Sequence, residues 1–274
     1  MQLTAPFRWA GSKAKLTREL FTYFKDSDTY IEPFLGSGVV LFRLIQDAKY
    51  KKYVVNDINL AIINFYIAVR DNPGKVVSRL SSMCFSYNSL LSMAEREQRY
   101  YYNREVYNLF KGDWESFWFL MKTGFNGLYR ENSKGKYNVP FGKKKRITFN
   151  ADQIYKISEL IQNVEFHSKD YKDFLSIVIK QIEYNKAFIY NDPPYVGSQQ
   201  YTALKFDNEE LADYLRSLNY DVAISDVDSK ASNDVYKGFF TVQVKDINRV
   251  INIASVQAVK EVLYINYPVE GIES

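Results

Sequence analysis

Apolar and polar positions in the first sixty residues alternate as an α/β unit would. Thr29-Tyr30-Ile31 reads as a short strand, Glu32 to Gly38 as a glycine loop, Val39 to Lys49 as a helix and Tyr53-Val54-Val55 as the next strand. Two strands joined through one helix imply parallel pairing with a right-handed crossover. From Ile58 to about Leu120 the spacing turns helical, with apolar residues at Ile62, Phe65, Tyr66 and Val69 and a tyrosine-dense stretch at Tyr100-Tyr101-Tyr102. A loop-rich stretch between Thr123 and Arg146 carries Gly124, Gly127, Gly135, Pro140 and Gly142 and ends in the basic run Lys143-Lys144-Lys145-Arg146. The α/β rhythm then resumes, with strands expected at Ala187 to Tyr190, Val222 to Ser225, Phe239 to Lys245 and Val262 to Ile265. The pattern predicts an α/β catalytic domain, residues 1–59 and 149–274, split by a mostly helical insertion over 60–148.

Composition narrows the chemistry. Charged residues at 25 % and apolar residues at 46 % describe a folded globular chain rather than a disordered one. The longest apolar runs, such as Val39-Val40-Leu41-Phe42, fall far short of the roughly 20 residues of a membrane span, and Met1-Gln2-Leu3-Thr4 opens without a signal-peptide pattern, so a cytoplasmic protein is expected. A single cysteine, Cys84, and a single histidine, His167, exclude an intramolecular disulfide, a Cys/His zinc cluster and most histidine-dependent hydrolase mechanisms; no metal is expected. Residues 60–148 hold 15 Lys/Arg against 7 Asp/Glu, whereas the flanks together are net −4. A basic, aromatic-rich segment in an otherwise acidic chain suits a phosphate-backbone partner, although a solvated helical surface would give the same count.

Two stretches carry candidate chemistry. In Glu32-Pro33-Phe34-Leu35-Gly36-Ser37-Gly38 a glycine turn after a strand lets backbone approach a ligand and opens a helix whose first amides favour negative charge. About 20 residues on, Asp57 stands where a carboxylate can accept hydrogen bonds from ribose hydroxyls; a tight turn and a helix cap would explain the same residues singly. The second stretch is Asn191-Asp192-Pro193-Pro194-Tyr195, directly after an apolar strand. It sets a carboxylate, a carbonyl outside any helix and an aromatic face together at a strand's C-terminal end, where open α/β sheets keep their ligands. Asp192 and the Pro193 carbonyl could bind both hydrogens of an exocyclic amine while Tyr195 stacks on the base.

These stretches, with Arg8-Trp9-Ala10-Gly11-Ser12-Lys13, Asn56-Asp57-Ile58-Asn59, Phe125-Asn126-Gly127-Leu128-Tyr129-Arg130 and Tyr137-Asn138-Val139-Pro140-Phe141-Gly142, resemble in order the DNA adenine methylase (Dam-like) family over residues 8–195. The resemblance implies a Rossmann-like, S-adenosylmethionine-dependent methyltransferase acting on adenine N6 in double-stranded DNA at a GATC-like site, by base flipping and direct transfer, with restriction-modification as one setting. It implies Asp192, Pro193 and Tyr195 as catalytic residues, and Trp9, Lys13, Gly36, Asp57, Asp192 and the pair Asp170-Tyr171 around the cofactor. For DNA it implies Phe125 as a wedge in the base stack, Asn126 at the vacated position, Arg130 on a guanine edge and Leu128 on a thymine methyl, with Arg8, Lys143, Lys144, Lys145 and Arg146 as further contacts.

The chain departs from the family in places. Lys144 stands where a tyrosine is common, Arg8 where lysine is frequent, and Arg249-Val250-Ile251-Asn252-Ile253-Ala254-Ser255 replaces a Ser/Gly/Arg-rich stretch. Rival readings are a methyltransferase acting on RNA or a protein amide, and a catalytically silent DNA-binding decoy or regulator of the same fold. The basic insertion favours nucleic acid, and intact Asp57, Asp192 and Tyr195 favour catalysis.

Overall fold

The computed structural model describes residues 3–183, 186–198, 206–252 and 255–269, and of 247–252 and 255–258 the backbone alone. Every residue of β1 (Thr29–Glu32) and β4 (Ala187–Asn191) is buried, as in β2 (Lys52–Asn56) after its first residue. Such strands belong at the centre of a parallel sheet covered on both faces. The sheet runs β3-β2-β1-β4-β5-β7-β6, with β3 (Val164–His167), β5 (Asp221–Val227), β6 (Phe240–Asn252) and β7 (Ser255–Ile265). Pairing is parallel from β3 through β5 and antiparallel around β7.

Side chains alternate between the two faces with the strand period of two. Tyr30, Phe188, Tyr190 and Ala223 join one apolar cluster, and Ile31, Ile189, Val222 and Ile224 the other. The second cluster is closed by α8 (Tyr171–Val178), α9 (Asn208–Ser217) and α10 (Lys230–Val235). The first is covered by α1 (Thr17–Leu20), α2 (Val39–Gln46) and α3 (Leu60–Asp71), and continues without a break into α4 (Pro73–Asn88), α5 (Met93–Leu109), α6 (Trp114–Thr123) and α7 (Ala151–Leu160). These last helices lie between β2 and β3 in sequence and share the core of the sheet, Tyr107 and Phe117 joining the cluster that holds Phe65 and Tyr66 of α3. Their starts follow from local chemistry: Asn72 caps α4 with Pro73 behind it, and Ser92 and Glu95 close a reciprocal capping box on α5.

Four elements differ from the sequence expectation. The helix after the glycine loop stops at Gln46 rather than Lys49, because Ala48 turns into the left-handed region at φ 49°. The edge strand β3 was not expected: of its four residues only Val164 is buried, so no apolar run announces it. The two final strands extend far beyond Phe239–Lys245 and Val262–Ile265, their ladder continuing to Asn252 opposite Ser255. The divergent Arg249–Ser255 stretch is thereby mostly strand, and its Ile253 and Ala254 lie outside the described residues.

The chain runs from β1 outward to β2 and β3, then returns to β4 and β5 on the other side of β1. This reversal between β1 and β4 opens a crevice beyond the strands' carboxyl ends, where such sheets bind ligands. The glycine loop, Asp57 and the Asp192 tetrad all follow the carboxyl ends of β1, β2 and β4.

Candidate active site

The glycine loop is folded back onto the end of β2. The Leu35 amide donates to the Asn56 carbonyl at 2.8 Å, and the Gly36 amide to Asp57 Oδ2 at 2.8 Å. From the other side the Asn59 amide donates to Asp57 Oδ1 at 2.9 Å, and the Tyr66 hydroxyl of α3 donates to the Ser37 carbonyl at 2.7 Å. Asp57 is thus oriented by two amides, and each of its oxygens has a second lone pair for a ligand. Burial outweighs those hydrogen bonds and pushes its carboxyl up to about 6.

Gly36 has φ +52°, and a Cβ there would meet Trp9 Nε1 at 2.9 Å. The indole is held in turn by Tyr129 and Phe117, with ring centroids 5.6 and 6.2 Å away. We expect Gly36→Ala to displace Trp9 and strain the loop at once, costing about 1–3 kcal/mol from the backbone conformation alone. Thermal melting together with tryptophan fluorescence checks this; an unchanged melt and spectrum would contradict it.

Lys13 is only 3 % exposed, and its ammonium spans the crevice. Nζ donates to Asp192 Oδ1 at 2.5 Å and to the Gly11 carbonyl at 3.0 Å, and lies 4.9 Å from the centre of the Tyr195 ring. Behind this pair stands Glu32, at the end of β1 and 2 % exposed. Its carboxyl is pushed well above the usual range, first by burial and then by the charge of Asp192. Oε2 of Glu32 makes no well-formed hydrogen bond among the described residues, nor does the hydroxyl of its neighbour Tyr30.

Trp9, Lys13, Gly36, Asp57, Asp192, Pro193 and Tyr195, distant in sequence, therefore line one cavity. Glu32, Phe34, Tyr129 and Pro194 are also part of its wall. Sequence reasoning assigned no role to Glu32, though an acid ending an apolar strand was the available signal. Asp170 and Tyr171 do not line this cavity. Asp170 caps α8 by accepting from the Lys172 amide, and Tyr171 packs at 5.7 Å on Phe34, which does reach the wall. His167 stays on β3, 2.7 Å from Glu165, and Cys84 on α4. Among the described residues no group of three or more His, Cys, Asp or Glu could hold a metal, and no helix is long and apolar enough to cross a membrane.

Trp9 also borders a second hollow, lined with Arg8, Asn126 and Leu128 among others. Phe125 is 49 % exposed despite its size, and Leu128 is exposed beside it. Asn126 turns the chain at φ 54°, and Gly127 lets the Arg8 side chain pass within 2.7 Å of where a Cβ would stand. Arg130 Nε donates to Asn138 Oδ1 at 2.8 Å. Lys143, Lys145 and Arg146 are exposed and Lys144 half-buried, its carbonyl accepting from the Tyr87 hydroxyl.

Residues 9–257 match the profile of the D12 class of N6 adenine-specific DNA methyltransferases. The chain belongs to that family. It is 31 % identical to the Type II methyltransferase M.MjaIII of Methanocaldococcus jannaschii, over 80 % of this chain and 81 % of that one. It is 30 % identical to a DNA adenine methylase of Haemophilus influenzae, over 85 % and 83 %. A solved rRNA methyltransferase, aviRa from Streptomyces viridochromogenes, aligns over 92 % of this chain and 84 % of its own, at 14 % identity and a TM-score of 0.38, a likeness too slight to bear on function. As a D12 enzyme the protein is a DNA adenine methyltransferase, and its substrate is DNA.

Proposed function

We propose that the chain methylates adenine N6 in duplex DNA at a GATC-like site, using S-adenosylmethionine, a flipped target base and direct transfer without a covalent enzyme intermediate. The observation that carries this reading is the single cavity that sets Asp192, Pro193 and Tyr195 opposite the glycine loop and Asp57 across the β1/β4 reversal. When bound there, S-adenosylmethionine supplies an electrophilic methyl group.

The residues fit that donor: Asp57 has acceptor lone pairs for ribose hydroxyls, and Gly36 of the glycine loop lines the same cavity. On the substrate side, Asp192 and the Pro193 carbonyl accept the two amine hydrogens, localising the nitrogen lone pair for attack. Tyr195 offers its ring to the flipped adenine, and Lys13 orients the carboxylate. The nitrogen that takes the methyl would gain positive charge, which Asp192 would stabilise until the surplus proton passed to solvent, the donor leaving as its thioether with the electron pair of the broken C–S bond. Residues 60–148 supply most of the duplex-facing set, with Phe125 as wedge, Asn126 at the vacated position, Leu128 and Arg130 on base edges and the Lys143–Arg146 run on phosphates, and Arg8 adds a further DNA contact from outside them.

The direct test incubates purified protein with labelled S-adenosylmethionine and pooled duplexes, then maps N6-methyladenine by sequence. Label confined to GATC-like duplexes supports the proposal; label on RNA or protein, or none, overturns it.

Asp57 gives a second test. Asp57→Ala is expected to weaken S-adenosylmethionine binding by about 1.5–3 kcal/mol, the range for hydrogen bonds to a charged acceptor. The ionised carboxylate is the better acceptor, so affinity is expected to hold above about pH 6 and to fall as pH drops through that value. Calorimetry across that window checks both, and unchanged affinity in Asp57→Ala would remove Asp57 from the donor site.

A further inference from the structure

We propose that Glu261, on β7, is a positioning residue for methyl transfer, fixing the plane of the Tyr195 ring through its hydroxyl. This rests on the reading of Tyr195 as the aromatic against which the target base stacks. The ring's inner edge is constrained by its place after Pro193-Pro194, but a tyrosine side chain still turns about two bonds. Its far end is tied down: the hydroxyl donates to Glu261 Oε2 at 2.8 Å.

Glu261 is 2 % exposed within a strand that continues as Val262-Leu263-Tyr264-Ile265, where an apolar side chain would satisfy packing without desolvating a charge. A second buried carboxylate stands at the adjoining rung. Asp226 of β5 accepts from the Val196 amide at 3.1 Å, and β5 and β7 pair Asp226 with Val262 and Val227 with Glu261. Two acids from neighbouring strands thus grip consecutive residues, Tyr195 by its side chain and Val196 by its backbone. The Lys13 ammonium, 4.9 Å from the ring centre, bounds the ring where Asp192 is also held. A ring held at its hydroxyl, at the following amide and beside Lys13 has one orientation relative to Asp192. That relation sets whether a stacked adenine presents its amine to the carboxylate, and small misplacements of a reacting group cost rate steeply.

The test is a double-mutant cycle read as single-turnover methyl transfer. Glu261→Ala is expected to slow transfer by about 10- to 100-fold while changing DNA and S-adenosylmethionine dissociation constants by less than about twofold. Glu261→Gln, which keeps an acceptor oxygen, is expected to recover most of that loss, and Tyr195→Phe to match the alanine variant. Combining Glu261→Ala with Tyr195→Phe should then add less than about twofold, since both remove one interaction. Independent, multiplying losses overturn the proposal, as does a folded Glu261→Ala of normal rate. If Glu261→Ala fails to fold, Tyr195→Phe decides alone, and a normal rate there refutes the tether. Tyr195→Ala separates the premises: if it transfers normally, the stacking role itself fails, whereas a severe loss beside a silent Tyr195→Phe removes only the role of Glu261.

Discussion

Asp192→Ala is expected to lower the single-turnover rate by about 10²–10³-fold, the loss typical of removing one preorganised group at a centre of developing charge. The carboxylate is built for that place by the fold: β4 delivers it to the crevice, and Lys13 holds it at 2.5 Å. The same pair predicts a cost in stability. Without Asp192 the Lys13 ammonium, almost wholly buried, keeps among the described residues the Gly11 carbonyl, the Tyr195 ring and its charge interaction with Glu32. Stranding a buried charge costs about 3–5 kcal/mol, and because the Asp192 side chain is 22 % exposed the loss should fall at or below the low end of that range. Asp192→Asn separates the two effects, since it retains an acceptor oxygen for Lys13 but lacks the charge that offsets the amine's developing cation. It is expected to melt closer to wild type than Asp192→Ala and still transfer slowly. Cys84→Ser, on α4 away from the cavity, is expected to keep both rate and stability. Near-normal transfer by Asp192→Ala, or a loss in Cys84→Ser at unchanged stability, would contradict direct transfer driven by the tetrad.

The strands that aim these residues were legible because they are buried on both faces. β1, β2 and β4 appear as short apolar runs, each followed by its polar cargo, Glu32, Asp57 or Asp192. β3 was silent because an edge strand of four residues, three of them half-exposed, has no periodicity to display. Pairings across the chain were equally silent. Lys13 and Asp192 lie 179 residues apart, and only the β1/β4 reversal brings them together. Glu261 left a faint trace, an acid leading directly into an apolar strand, but its partner could not be named before β7 was seen to lie antiparallel beside β5. The glycine loop carried more than a turn: the absence of a side chain at Gly36 makes room for the Trp9 indole, a contact between residues 27 positions apart that spacing alone does not suggest.

The DNA-facing residues should divide into two groups by their response to salt and sequence. Lys143, Lys145 and Arg146 project into solvent and Lys144 is half-buried beside them, an arrangement suited to a backbone of repeating charge. Neutralising this run is expected to weaken binding to every duplex and to flatten the dependence of log affinity on log salt by about 0.9 for each phosphate that the protein ceases to neutralise. Arg130 is different in kind. Asn138 accepts from its Nε, which fixes the plane of the guanidinium as bidentate reading of a guanine edge requires. Arg130→Ala is therefore expected to cost about 1–3 kcal/mol at the cognate duplex, to relax preference at one base pair and to leave the salt slope nearly unchanged. Binding isotherms at several salt concentrations, on cognate and scrambled duplexes, resolve the two behaviours. An equal loss on both duplexes with a flatter slope would make Arg130 a phosphate-binding residue, and base reading would then have to rest on Leu128 and its neighbours in the hollow beside Trp9.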